Sequence, residues 1–75
     1  MEKDKILAVV ADNIRLERLR KKITQEKLAE LSGITQKYLN LIEKGKVNPT
    51  ILVVINLCKT LDIDLNTIYD CDLKL

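Results

Sequence analysis

Three times along this chain an isoleucine precedes a threonine or aspartate, with another branched aliphatic residue four positions after the polar one. The sets are Ile23-Thr24 with Leu28, Ile34-Thr35 with Leu39, and Ile63-Asp64 with Ile68. A short polar side chain at a helix N-cap takes an amide of the first turn, and an apolar residue before it packs on the fourth helical position. Three copies of one device therefore mark three helix starts. Stops are also visible. Gly33 follows Leu31-Ser32 and Gly45 follows Glu43-Lys44, each suited to the left-handed residue that ends a helix. Pro49 then forbids continuation and precedes Thr50, a fourth candidate cap. The spacing predicts five helices, near Asp4–Lys21, Gln25–Ser32, Gln36–Lys44, Ile51–Leu61 and Leu65–Tyr69. Ile51–Ile55 has strong β-propensity, yet the pattern continues at helical spacing through Leu61, which favours a buried helix.

Composition agrees with an all-α chain. Gly occurs 2 times and Pro 1 time in 75 residues, too few for the tight turns of an all-β fold. The length suits one domain spanning residues 1–75, with a modest aliphatic core that self-association would help. The longest apolar run, Ile51–Ile55, is too short to span a bilayer, and no signal peptide is apparent. The expected location is the cytoplasm. There Cys58 and Cys71 are expected to stay reduced; they form no CxxC, and without histidine no zinc site is expected. No cofactor is implied. Catalysis is disfavoured as well: there is no His, no Gly-rich phosphate loop, and no nucleophile with a base beside it.

Charge is divided unevenly. Residues 1–46 carry eleven Lys/Arg against seven Asp/Glu, and residues 47–75 carry two against four. Arg15, Arg18, Arg20, Lys21 and Lys22 cluster in the basic half. That asymmetry suits a polyanion on one side, though charge alone fits a solvated helix equally well.

The second and third helices are separated only by Gly33-Ile34-Thr35, so they must cross closely. Leu28, Ala29, Ile34, Leu39 and Ile42 then fall inward. Gln36, Lys37, Asn40, Leu41 and Lys44 fall outward. Amides pair bidentately with adenine, and lysine donates to guanine or phosphate. An ordinary polar helix face would show the same residues.

Thr24-Gln25-Glu26-Lys27-Leu28-Ala29-Glu30-Leu31-Ser32-Gly33-Ile34-Thr35, followed by Tyr38-Leu39, Ile42-Glu43-Lys44-Gly45 and Asn48-Pro49-Thr50, resembles the phage repressor and Cro (XRE-like) type of helix-turn-helix. The resemblance covers roughly residues 13–69. It implies a compact five-helix bundle with a central helix-turn-helix, a lambda-repressor-like DNA-binding domain. It also implies a transcriptional regulator of double-stranded DNA, a repressor by default, with helix 36–44 in the major groove of a pseudo-palindromic operator. Gln36 and Lys37 match base-contacting positions, and Asn40 joins them from the same face. Leu41 matches a further such position, where an aliphatic group meets only thymine methyls. Gln25 matches a residue that touches phosphate and braces the recognition helix. Thr35, Lys44, Lys46 and Asn48 are expected at the backbone. Arg18 and Glu43 match a structural ion pair.

The chain departs from the family pattern in two ways. Lys22 and Asp62 stand where the family commonly has Gly, so both are expected in the left-handed region. The fourth helix has Leu52, Val53 and Ile55 where polar residues are common. Family regulators usually dimerise, so a homodimer interface is expected at Leu52, Val53, Ile55, Ile63, Leu65 and Ile68. Leu73 and Leu75 would extend it, and Asp62, Asp64, Asp70 and Asp72 would surround it. The competing expectation is that the N-terminal segment Met1–Val10 or the first helix covers this surface, through Val9, Leu16 or Leu19. A different class of function also fits the fold: a protein-interaction module or antitoxin that binds a protein partner, with or without DNA.

Overall fold

The computed structural model describes residues 3–69. Five helices account for them: α1 (Lys3–Arg20), α2 (Gln25–Ser32), α3 (Gln36–Glu43), α4 (Ile51–Leu61) and α5 (Leu65–Ile68). No strand occurs among the described residues. Met1, Asp70, Cys71, Asp72, Leu73 and Leu75, invoked in the sequence reading, lie outside the described residues.

Each expected helix forms, and the capping chemistry explains where it stops. Lys22, Gly33, Gly45 and Asp62 all have positive φ, at 55, 73, 70 and 55°. At each one the chain closes with the same pair of bonds. Beyond α1, Ile23 N–H donates to Arg18 O at 3.3 Å and Lys22 N–H to Leu19 O at 3.0 Å. Beyond α2, Ile34 N–H reaches Ala29 O at 3.0 Å. Lys46 N–H reaches Leu41 O at 2.9 Å beyond α3, and Ile63 N–H reaches Cys58 O at 3.0 Å beyond α4. These 6→1 closures satisfy carbonyls that a helix end leaves open. Lys22 and Asp62 adopt this geometry without being glycine.

The starts follow suit. Thr24, Thr35 and Thr50 are extended, and their hydroxyls accept from the amides of Lys27, Tyr38 and Val53. Asp64 differs. Its backbone is extended, but its side chain makes no cap bond. The Thr67 amide, which a cap carboxylate would take, donates instead to the Asp64 carbonyl at 3.0 Å.

One core joins all five helices. Val10 and Ile14 come from α1, Leu28 and Ala29 from α2, and Leu39 and Ile42 from α3. Val54, Leu57, Cys58 and Leu61 come from α4 and Ile68 from α5. Polar bonds lock its margins: Asn13 Nδ2 donates to Ile68 O at 2.7 Å, and Ser32 Oγ donates to Thr60 Oγ1 at 3.1 Å.

Two sequence expectations need correction. Ile68, placed at a dimer interface, has no exposed surface: α5 is a single turn whose inward position it fills. Leu16 and Leu19 do not cover the α4 surface, being 47% and 54% exposed on the outer side of α1.

A non-glycine residue in the left-handed region carries a strain of about 1 kcal/mol. Lys22→Gly should therefore stabilise the domain by up to about 1 kcal/mol, the unfolded chain's extra freedom offsetting part of the gain. Urea denaturation would show this as a raised midpoint with unchanged slope.

Candidate nucleic-acid interface

Helices α2 and α3 meet across Gly33-Ile34-Thr35, whose left-handed glycine turns the chain while Thr35 caps the next helix. Gly33 has open space around it, so positive φ, and not crowding, is what favours glycine there. Leu28, Ala29, Leu39 and Ile42 pack the inner faces, and Ile34 is partly buried beside them. The opposite face of α3 is thereby turned to solvent. Gln36 and Lys37 are exposed at its start, and Asn40 and Leu41 are half-buried midway. Lys44, Lys46 and Asn48 are exposed beyond its end, and Thr35 is exposed before its start.

Gly45 sets the loop that carries these lysines. A Cβ added there would meet Leu7 O at 3.6 Å and Ala8 N at 3.7 Å, so the loop backbone rests directly on α1. Its φ of +70° is the stronger reason for glycine, since those contacts are ordinary van der Waals distances.

Behind the exposed face lies a charge-anchored bond network. Arg18 Nε donates to Glu43 Oε2 at 2.8 Å and Arg18 Nη2 donates to Glu43 Oε1 at 3.0 Å. This bidentate pair joins α1 to the last turn of α3. The side chains are 14% and 4% exposed, so both charges are largely desolvated. Arg18 Nη1 also donates to Ile23 O at 3.1 Å, securing the turn into α2. Gln25 Nε2 donates to Glu43 Oε1 at 3.4 Å, and Asn40 Nδ2 donates to Gln25 Oε1 at 3.4 Å. Four residues from three helices are thus linked in one line. The expected roles of Arg18, Glu43 and Gln25 are brought together here. The bond between Gln25 and Asn40 was not expected: it depends on the crossing of α2 and α3, which residue spacing does not specify. Glu17, buried on α1 and paired with Arg20 at 2.6 Å, was also missed.

The α4–α5 turn has a different character. An open groove of about 420 Å³ is lined by Ile55, Cys58, Lys59, Asp62, Ile63, Asp64 and Leu65. Burial pushes the Cys58 thiol up from its ordinary range, and the Asp64 charge adds to the shift. Leu65, in that lining, is 38% exposed, and Leu52 on α4 is 71% exposed. Val53 and Ile63 pack partly on the core.

A buried crossing of two short helices that presents the polar face of the second is the architecture of a helix-turn-helix protein. Residues 14–68 match the helix-turn-helix family, and the chain belongs to this family of DNA-binding transcriptional regulators. It is similar to the HTH-type transcriptional regulator y4dJ of Sinorhizobium fredii, with 34% identity over 55 residues, 73% of this chain and 71% of that protein. It is similar to the control protein C.SmaI of Serratia marcescens, with 35% identity over 57 residues, 76% and 68% of the respective chains. Its fold matches the crystal structure of the restriction-modification controller protein C.AhdI from Aeromonas hydrophila, with a TM-score of 0.81 and 30% identity. That match covers 84% of this chain and 96% of the other. No helix among the described residues is long and apolar enough to cross a membrane.

Removing one member of a buried ion pair strands the other charge. Arg18→Ala should destabilise the domain by about 3–5 kcal/mol, whereas the double replacement Arg18→Met with Glu43→Leu should fall far short of that loss. Thermal unfolding of the single and double variants checks the contrast.

Proposed function

We propose that this chain is a sequence-specific regulator that binds a pseudo-palindromic duplex as a homodimer, with helix 36–44 in the major groove. The observation that carries the reading is the exposed start of α3, where Gln36 and Lys37 extend from a helix braced at its other end by a buried ion pair. An amide and an ammonium are suited to base edges. Thr35, Lys44, Lys46 and Asn48 flank that face and would approach phosphates, leaving Gln36, Lys37, Asn40 and Leu41 to meet bases. Repression is the action that needs least: occupancy of the site excludes other proteins from it. Similarity to C.SmaI and C.AhdI supports a controller-type role. The location that goes with this reading is the cytoplasm.

The dimer reading rests on exposed apolar surface away from α3. Leu65 and the half-buried Ile55 line the α4–α5 groove, Leu52 is exposed on α4 one turn before Ile55, and Val53 and Ile63 are partly buried. Asp62 and Asp64 are exposed there too, which makes that side a poor match for phosphate. Pairing these surfaces across a twofold would double the phosphate contacts of a weakly charged domain. Half-site centres about 34–36 Å apart, or a multiple, follow from the pitch of duplex DNA.

Affinity for generic duplex should fall with salt at a log–log slope of about −0.9 per phosphate contact. Lys46→Ala should lower that slope by about one and weaken all sequences alike. Gln36→Ala should relax preference at one base pair at a cost of about 1–3 kcal/mol. Titrations across a salt series, with matched and mismatched duplexes, separate the two effects. A flat salt response would oppose the reading and favour a protein-interaction or antitoxin-like module.

Leu52→Asp and Leu65→Asp should each shift a dimer toward monomer while leaving helicity intact. Ile68→Asp should unfold the domain instead, because that side chain fills the protomer's own core. Sedimentation velocity with circular dichroism distinguishes these outcomes.

A further inference from the structure

The line of bonds behind α3 has a direction. Glu43 is a carboxylate held by two Arg18 donors, and a carboxylate only accepts. The Gln25 amide must therefore turn its nitrogen toward Glu43, as it does at 3.4 Å. Its oxygen then faces the other way and can only accept. Asn40 must in turn present its nitrogen to Gln25, again at 3.4 Å. A carboxylate buried at the end of α3 thus sets the polarity of two amides in succession. A free asparagine on a helix surface flips its amide to suit whatever it meets; Asn40 does not have that freedom.

Asn40 Nδ2 carries two N–H groups, and Gln25 takes one. The remaining N–H and Oδ1 are left to offer one donor and one acceptor to a partner of α3. That pair complements adenine, whose N7 accepts and whose N6 donates. Guanine offers two acceptors at the same place and would set O6 against Oδ1. Leu41, the next residue on the outward face and half-buried, supplies an aliphatic group of the kind that meets a thymine methyl. Both neighbours therefore favour an A·T pair.

Building on the DNA-binding mode proposed above, we infer that Gln25 is a positioning residue which orients the Asn40 amide, and that Asn40, held in this way, reads adenine. Gln25 acts here through Asn40 and determines specificity, apart from any phosphate contact of its own.

The test is selection of bound duplexes from a random pool by the full chain, by Asn40→Ala and by Gln25→Met, followed by competition binding at the enriched position. The native chain should prefer adenine over guanine there by roughly 5- to 150-fold. Asn40→Ala should bring the ratio to about one, a bidentate pair being lost. Gln25→Met, which keeps side-chain bulk but neither donates nor accepts comparably, should lower the same ratio and leave the other positions unchanged. If Gln25→Met weakens all sequences equally and preserves the ratio, the inference is overturned. It is equally overturned if Asn40→Ala changes no position. A measurement on the free native protein stands apart from folding of the variants: proton exchange of side-chain amides by NMR. The Asn40 amide should exchange with water more slowly than that of exposed Asn48; equal rates would refute the relay. Absence of any enriched duplex alongside a protected Asn40 amide would overturn the DNA-binding reading and the adenine assignment, and leave the relay standing.

Discussion

The pairing of Arg18 with Glu43 is the interaction on which the geometry of this domain depends. It joins helices 25 residues apart in sequence, and it does so in the least solvated part of the polar structure. Taking two charges out of water is costly, and the bidentate geometry must recover that cost. The return is positional. Arg18 simultaneously holds Ile23 O in the turn that begins α2, so one guanidinium fixes the entry to α2 and the exit from α3. An apolar pair of similar bulk could fill the space, yet it would impose no angle. Nor would it present an acceptor to Gln25, and the amide order behind α3 would be lost.

The second organising feature is local and repeats. Lys22-Ile23-Thr24, Gly33-Ile34-Thr35 and Asp62-Ile63-Asp64 share one plan: a left-handed residue, an isoleucine, then an extended capping residue. The isoleucine serves both flanking helices. Its amide closes the preceding helix through a 6→1 bond, and its side chain packs on the core beside the next one. This is why the helix boundaries were legible to within a residue or two: every signal involved acts within five or six positions. Lys22 and Asp62 show that the plan tolerates residues other than glycine where the surrounding bonds over-determine the conformation.

What was not legible lies at longer range or on too short an element. In Leu65–Ile68, four residues cannot display a helical period; the pairing with Ile63 set Ile68 apart from Leu65, but only the packed partners close it into the core. On the sequence, Leu16 and Leu19 are only an alternative cover for the α4 surface, yet α1 buries Val10, Ala11 and Ile14 and leaves both leucines exposed. An 18-residue helix against partners of about half that length has room for several inward stripes, and only the packed partners choose among them. Asp64 satisfied the pattern of a cap, but a one-turn helix bonds its third amide to the cap residue's own carbonyl. On the candidate DNA face the outward residues were readable from periodicity alone. The bond from Asn40 to Gln25 was not, because it is a product of how α2 crosses α3.

Helix α3 has only eight residues, well below the length at which an isolated helix persists in water. Its outward residues share a face only because Leu39 and Ile42 are buried and Glu43 is anchored to α1. Order on the solvent side is therefore borrowed from the core side. The same dependence gives the face its precision: side chains on a rigidly packed helix lose less freedom on meeting a partner than side chains on a loop. The apolar residues that crowd α4 serve this end as well, since Val54, Leu57 and Leu61 complete the core against which α2 is seated. The order of the α3 face and the packing of α4 are two consequences of one burial, and a change that loosens the second must disorder the first.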